Sequence, residues 1–303
     1  MSSKPRIITI VGPTASGKST LAAELAKKFD GEIVSADSRQ IYREMDIGTA
    51  KPSPEERRAV LCHLVDIKDP NEDYTVAEYK DDAVATINKI LAHGKLPILV
   101  GGTGLYINAV LQNLDIPKTK ADPALRAELE KEIKEKGLEV VFKKLVALDP
   151  EAENIVDPKN PRRVVRALEV AITTGEPFTS QRKKNDEIFD ALVIGLDITP
   201  EILRTRINDR VDQMMEDDFL GEVRELIKKC GEDAVAFDAI GYREIIDHLK
   251  TGQPLTEAIH AIKINTWHYA RRQLTWFKKN KNVQWIKDPN EAAVLVENFL
   301  TRE

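Results

Sequence analysis

The octapeptide GPTASGKS, residues 12–19, follows a short β-branched run and precedes a helix-like one. That is the setting in which G-x-x-x-x-G-K-[ST] grips phosphate. Gly12 and Gly17 let main-chain N–H groups turn inward around an anion, with Pro13, Thr14, Ala15 and Ser16 forming the rest of the turn. The N-terminus of the following helix adds a partial positive charge. Lys18 brings a mobile cation, and Ser19 offers a hydroxyl to Mg²⁺. This spacing specifies phosphate or diphosphate binding without naming a reaction.

Further positions invite chemistry. Asp37 closes the run EIVSA, and at the C-terminal end of a parallel strand it faces the same crevice as the phosphate loop. Two uses fit it equally. It caps the turn beside Ser35 and Ser38, or it binds a magnesium-held water or takes a proton from a nucleophile. Thr103, in VGGTGLY, repeats the strand–glycine–helix arrangement; it either caps its helix or aims its hydroxyl at the ligand. Arg206 and Arg210, in RTRINDRVDQMM, lie four apart on a helix. They reach phosphate oxygens or form a solvated face with Asp209 and Asp212. From 258 to 287 there is no Asp or Glu, while Lys263, Arg271, Arg272, Lys278, Lys279, Lys281 and Lys287 and all three tryptophans fall there. In a chain of net charge −5, this isolated basic and aromatic segment reads as local recognition of a polyanion rather than general coating of nucleic acid. The competing reading is an amphipathic helix that buries its tryptophans.

Positioning these residues requires strands alternating with helices. RIITIV, EIVSA, HLVDIKD, KLPILVGG and ALVIGLDI read as strands, and TLAAELAKKF and TVAEYKDDAVATINKILAHG as helices. The pattern predicts an α/β fold, a P-loop NTPase-like parallel sheet flanked by helices. Between residues 115 and 188 the chain becomes more charged and reads as an inserted, mainly helical domain. Residues 1–114 and 189–303 form the core, whose final part is helical apart from VQWI. Within the insertion, PRRVVRALEVAITT sets Arg162 and Arg166 four apart with Glu169 a turn further on, and Val164, Val165, Leu168 and Ile172 on the opposite face. Pro161 and Gly175 mark its start and stop. No apolar run approaches a membrane span, and the N-terminal MSSKPR lacks a signal-peptide pattern. Cys62 and Cys230 have no metal-ligand spacing, so a reducing, cytoplasmic setting without structural zinc is expected.

The segments GPTASGKS, SADSRQIYREMDIGTAKP, VGGTGLY, NPRRVVRALEV, GYREI and ARRQLTWF occur in this order. Together they resemble the bacterial tRNA dimethylallyltransferases, also called tRNA isopentenyltransferases. The likeness spans nearly the whole chain, and DSRQIYREMDIGTAKP is its most specific block. It implies transfer of a dimethylallyl group from dimethylallyl diphosphate to N6 of the adenosine 3′-adjacent to the anticodon, in tRNAs reading codons that begin with U. That adenosine would be flipped out of its loop to react. On this resemblance residues 12–19 hold the departing diphosphate, with Mg²⁺ on Ser19. Asp37 takes the N6 proton, Thr103 contacts the reacting region, and Arg210, in preference to Arg206, is a further diphosphate ligand. Asp37, Ser38, Arg39 and Gln40 read the flipped base. Arg126, Arg162, Arg163 and Arg166 grip the tRNA anticodon stem-loop, with Arg272 and Gln273 assisting. Ser19 stands where Thr is common, a change that keeps the hydroxyl, and nothing in the pattern demands more than a monomer.

Three rivals share some of these features. A small-molecule kinase would use the same loop and the same aspartate, but has little need of the helical insertion or the basic tail. A prenyltransferase acting on free AMP or ATP would not need the insertion's arginines. A non-catalytic RNA-binding module would not need Asp37 and Thr103 in one crevice.

Overall fold

The computed structural model describes residues 4–117, 122–181 and 185–302, so the first three residues of MSSKPR lie outside the described set. Six strands form one sheet: β1 (Arg6–Val11), β2 (Gly31–Ser35), β3 (Cys62–His63), β4 (Leu96–Gly101), β5 (Asp190–Leu196) and β6 (Val283–Ile286). Their order is β3-β2-β4-β1-β5-β6, and every neighbouring pair is parallel. Runs of Ile and Val suit strands covered on both faces, and Ile7, Ile8, Ile10, Ile98 and Ile194 are fully buried. Because β1 lies between β4 and β5, the loops after β1, β2 and β4 open at one end of the sheet, where strand order reverses.

HLVDIKD does not form the strand its composition suggests. Pairing stops at His63, because Leu64 and Asp66 adopt left-handed backbone with φ of 60° and 57°. Asp66 is used instead as an anion: it accepts from Lys51 Nζ at 2.7 Å and pairs with Arg57. Chain direction recovers at Lys68, which bridges to Tyr42.

Around the sheet lie α1 (Lys18–Lys28), α2 (Pro54–Ala59), α3 (Val76–Ala92) and α4 (Gly104–Leu111). Leu21 and Leu25 of α1 pack with Ile8, Ile10, Ile98 and Ile194 of the sheet. Tertiary contacts divide the chain into two compact units. One comprises Met1–Thr75, Tyr79–Leu111 and Ile188–Glu303; the other comprises Val76–Glu78 and Gln112–Glu187. The change falls at the end of α4 rather than at residue 115, and the first turn of α3 joins the second unit, which no local pattern signals.

The second unit contains α5 (Pro123–Lys136), α6 (Leu138–Leu148), α7 (Ala152–Ile155) and α8 (Pro161–Thr174) around Leu129, Val141, Leu145, Val164, Val165 and Leu168. Asn160 caps α8 by accepting from Arg163 N at 3.2 Å, Pro161 opens it, and Gly175 ends it at φ 73°. Ile172, placed on the apolar face by periodicity, is 47% exposed. Glu169 takes an interior place instead. Its carboxylate is fully buried and accepts from Arg126 Nε at 2.9 Å and Nη2 at 3.0 Å, from Arg166 Nη1 at 2.6 Å and from Asp122 N at 2.7 Å. Burial alone would raise this carboxyl, but Arg126, Arg166 and the Asp122 amide hold it below the usual glutamate range. A depressed carboxylate stabilises the fold above its unfolded pKa, and that contribution is lost as pH falls through the lower folded value. Glu169→Gln is therefore expected to cost about 2 kcal/mol at neutral pH, since both arginines keep access to water. Urea unfolding should also show a flatter loss of stability in acid than the parent shows.

The first unit continues with α9 (Pro200–Glu216), α10 (Phe219–Cys230), α11 (Tyr242–Thr251), α12 (Leu255–Phe277) and α13 (Glu291–Thr301). Ala292, Val296 and Phe299 of α13 join the cluster containing Ile8 and Ile194. Among the described residues no helix is long and apolar enough to cross a membrane. Cys62 and Cys230 are free thiols, and burial pushes Cys62 up to about 12, which makes it a poor nucleophile.

Candidate active site

Between β1 and α1 the loop turns through left-handed backbone at Ala15, φ 61°, and Gly17, φ 94°. A non-glycine residue held there is strained in a way typical of ligand clamps. A Cβ on Gly12 would lie 2.9 Å from Ser16 Oγ, so that hydroxyl would have to turn aside. That hydroxyl is buried without a hydrogen-bond partner. Lys18 Nζ donates to Pro13 O at 3.2 Å and folds back over the loop. Two arginines of α9 close the other side: Arg210 Nη1 donates to Thr14 Oγ1 at 2.9 Å, and Arg206 Nη1 to Ser16 O at 3.3 Å. Among the described residues neither arginine pairs with Asp209 or Asp212, and Asp212 instead accepts from Lys263 of α12 at 2.7 Å. Arg206 is nevertheless exposed while Arg210 is partly buried.

The electrostatics of this cradle are unbalanced. Burial lowers Lys18 to about 8; the Asp37 charge opposes this, and Arg210 adds to it. Arg210 is likewise lowered by burial, with Asp37 opposing. Two cations partly withdrawn from water with one nearby carboxylate favour an incoming anion that offsets their lost solvation.

Facing them is the polar cluster after β2 and β4. Asp37 Oδ1 accepts from Arg39 N at 2.9 Å, forming an Asx turn, and no hydrogen bond reaches its second oxygen among the described residues. The two uses considered for Asp37 are thus compatible, one per oxygen. Thr103 Oγ1 accepts from Ser38 N at 3.0 Å and lies 3.3 Å from Ser38 Oγ, tying the two loops together. Gln40 braces the base of the cluster, donating to Thr49 O at 3.3 Å and Ala50 O at 3.2 Å.

Much of SADSRQIYREMDIGTAKP is spent on holding this loop. Glu222 of α10 accepts from the amides of Asp46, Ile47 and Gly48 at 2.9, 2.7 and 3.2 Å. A Cβ on Gly48 would meet Tyr242 at 2.4 Å. Lys51, its side chain 1% exposed, pairs with Asp46 and Asp66. The block's specificity is therefore largely architectural.

α12 supplies what the linear motifs hid. Gln273, expected among the RNA contacts, is buried, and both ends of its amide bond to the protein: Oε1 accepts from Thr14 N at 2.9 Å and Nε2 donates to Gly102 O at 2.9 Å. Tyr269, one turn earlier and missed in the sequence, lies near enough to Thr103 and Asp37 for both to act on its phenol. Burial and the Asp37 charge push its phenol up to about 12, against Arg39, Thr103 and Arg272. Trp276 packs where a Cβ on Gly104 would lie, 2.2 Å from its ring. The 4,3 spacing of Tyr269, Gln273 and Trp276 is the signal that marks this inner face. Beside that face His268, Arg271, Arg272, Thr275, the exposed part of the Trp276 ring and Lys279 line a concavity of about 400 Å³. Arg162 and Arg163 of the second unit are exposed at the first turn of α8, whereas Arg126 and Arg166 are engaged with Glu169.

A parallel sheet with an anion cradle at its switch point, faced by an acidic and hydroxyl-bearing cluster, defines a P-loop α/β protein built to bring a phosphate-bearing donor against a polar acceptor. The chain belongs to the IPP transferase family, whose model matches residues 40–280. It is 45% identical to the tRNA dimethylallyltransferase of Oceanobacillus iheyensis over 94% of this chain and 91% of that protein. With the Halalkalibacterium halodurans tRNA dimethylallyltransferase it shares 42% identity over 98% and 97% of the two chains. Among solved structures, the full-length tRNA isopentenylpyrophosphate transferase of Bacillus halodurans aligns with a TM-score of 0.72 at 41% identity, covering 98% of this chain and 96% of the other. Crystallographic snapshots of a eukaryotic dimethylallyltransferase acting on tRNA align with a TM-score of 0.81 at 27% identity, covering 98% and 80%.

Proposed function

We propose that the protein transfers a dimethylallyl group from dimethylallyl diphosphate to N6 of the adenosine 3′-adjacent to the anticodon, in tRNAs reading codons that begin with U. The observation that carries this reading is that the phosphate loop, with Lys18 on Pro13 O and Arg210 on Thr14 Oγ1, is tied through Gln273 to the strand end whose Thr103 holds Ser38 beside Asp37. The C1–O bond of the donor breaks and its electron pair leaves with diphosphate, held by the loop amides, Lys18 and Arg210. N6 bonds to C1 and gives its proton to Asp37 through the oxygen not used in the Asx turn. Thr103 and Ser38 orient the adenine amine, with Arg39 and Gln40 shaping the loop around the base.

The donors beside the cradle suit Mg²⁺. The Ser19 hydroxyl on the first turn of α1 and the phosphate oxygens of the substrate are hard ligands, which this ion combines with retained waters. When bound, the ion neutralises charge on the diphosphate. The exposed Arg162 and Arg163 support a grip on the anticodon stem-loop, and the basic concavity on α12, with Trp276 at its wall, suits an RNA backbone and a stacked base. Arg126 and Arg166 serve by holding Glu169 and the start of α5. The site as proposed calls on no second copy of the chain, and a tRNA substrate suits a cytoplasmic enzyme.

The direct test incubates the protein with labelled dimethylallyl diphosphate, Mg²⁺ and unmodified anticodon stem-loop, with ATP replacing the prenyl donor in parallel. Label in the RNA without ATP is the expected result. Phosphate transfer alone, or label only in free AMP, overturns the reading. Arg162→Ala is expected to weaken stem-loop binding by about three- to tenfold and to reduce the slope of log affinity against log salt by about one phosphate contact. Unchanged binding removes α8 from the interface.

A further inference from the structure

We infer that Gln273 is a positioning residue whose side-chain amide sets the spacing between the leaving-group loop and the acceptor loop. The inference rests on the reaction proposed above and assigns this side chain a role other than RNA contact. Thr14 lies on the phosphate loop and receives Arg210 through its hydroxyl. Gly102 immediately precedes Thr103, which holds Ser38 beside Asp37. One planar amide, 6% exposed, spans the two, accepting from Thr14 N and donating to Gly102 O, each at 2.9 Å. Its covalent geometry fixes where a main-chain donor on one loop stands relative to a main-chain acceptor on the other.

The surroundings are cut to fit this amide. A Cβ on Gly102 would fall 2.1 Å from Nε2, so the second glycine of VGGTG leaves the room that Gln273 occupies. The amide also consumes the Thr14 N–H, which is then not available to phosphate. An apolar side chain of equal size would fill the space but strand a buried N–H and a buried C=O, each costly to leave unpaired. In a displacement reaction the distance between attacking nitrogen and prenyl C1 depends on the separation of these loops. A displacement of about 1 Å can cost about 10²-fold in rate without loss of binding.

The experiment compares Gln273→Met and Gln273→Glu with the parent enzyme, reading kcat and, separately, equilibrium binding of dimethylallyl diphosphate and of the anticodon stem-loop. Gln273→Met is expected to lower kcat by about 30- to 100-fold with each binding constant changed less than about threefold. Gln273→Glu reproduces the amide's bonding pattern when its carboxyl is protonated, donating to Gly102 O and accepting from Thr14 N. Its kcat relative to the parent at the same pH should therefore rise as pH is lowered from about 8.5 to about 6, the range into which burial brings a glutamate. A side chain that merely filled space would show no such recovery. If Gln273→Met fails to fold, the pH ratio of Gln273→Glu decides. A flat ratio, parent-like kcat in both variants, or equal losses of binding and kcat overturn the proposal. An inactive parent overturns the reading of the reaction first, and the proposal with it.

Discussion

Asp37→Asn is expected to lower kcat by about 10²–10⁴-fold while stem-loop affinity stays within about threefold. Asn is the informative substitution because Asp37 carries two duties. Its Oδ1 accepts from Arg39 N at 2.9 Å and shapes the loop that also carries Ser38 and Gln40. An asparagine carbonyl keeps that Asx turn. The other position becomes an amide, which cannot accept the proton leaving N6. Asp37→Ala removes both functions and should lose RNA affinity as well, so the difference between the two variants separates turn from chemistry. Single-turnover transfer measured beside equilibrium RNA binding checks this. Equal losses of rate and affinity in Asp37→Asn would take the aspartate out of proton transfer and leave it a loop residue.

The second large effect belongs to the cations. Lys18→Ala is expected to reduce kcat/KM for dimethylallyl diphosphate by about 10²–10³-fold, the scale for removing one group that stabilises charge developing on a leaving oxygen. Arg210→Ala should approach the same loss, because this guanidinium is partly buried, bonds Thr14 Oγ1 and feels the Asp37 charge. Arg206→Ala should cost far less. That side chain is exposed and reaches only as far as Ser16 O, at 3.3 Å, where water can replace it. Inorganic diphosphate competition across the three variants distinguishes them. Equal effects of Arg206→Ala and Arg210→Ala would mean that both arginines of α9 contact the leaving group. A negligible effect of Lys18→Ala would remove the loop from the reaction altogether.

Both predictions draw on the same arrangement, a cationic cradle and a proton acceptor on neighbouring loops of one sheet. The bonds of Thr103 to Ser38 and of Gln273 to Thr14 and Gly102 join those loops crosswise. Substitutions at Asp37 and Lys18 should thus be close to additive in binding but not in rate, since rate depends on donor and acceptor being held together.

Local order carried much of this protein into its sequence. The phosphate loop is legible because its glycines, lysine and hydroxyl act within eight consecutive residues, between a strand and a helix that their own composition marks. The start and stop of α8 are legible for the same reason, as Pro161 and Gly175 act on neighbouring peptide groups. Where a role depends on a partner distant along the chain, residue type was ambiguous. Gln273 sits among basic residues and reads as an RNA contact, yet its partners lie 259 and 171 positions away. Glu169 reads as a surface companion of Arg166 until Arg126, 43 positions away, encloses it. Tyr269 has no motif of its own and gains meaning through Thr103 and Asp37. Covalent neighbours and periodicity determine loops, caps and strands; the tertiary structure decided which polar groups lost water, and a polar group without water must find its partner wherever the fold brings one.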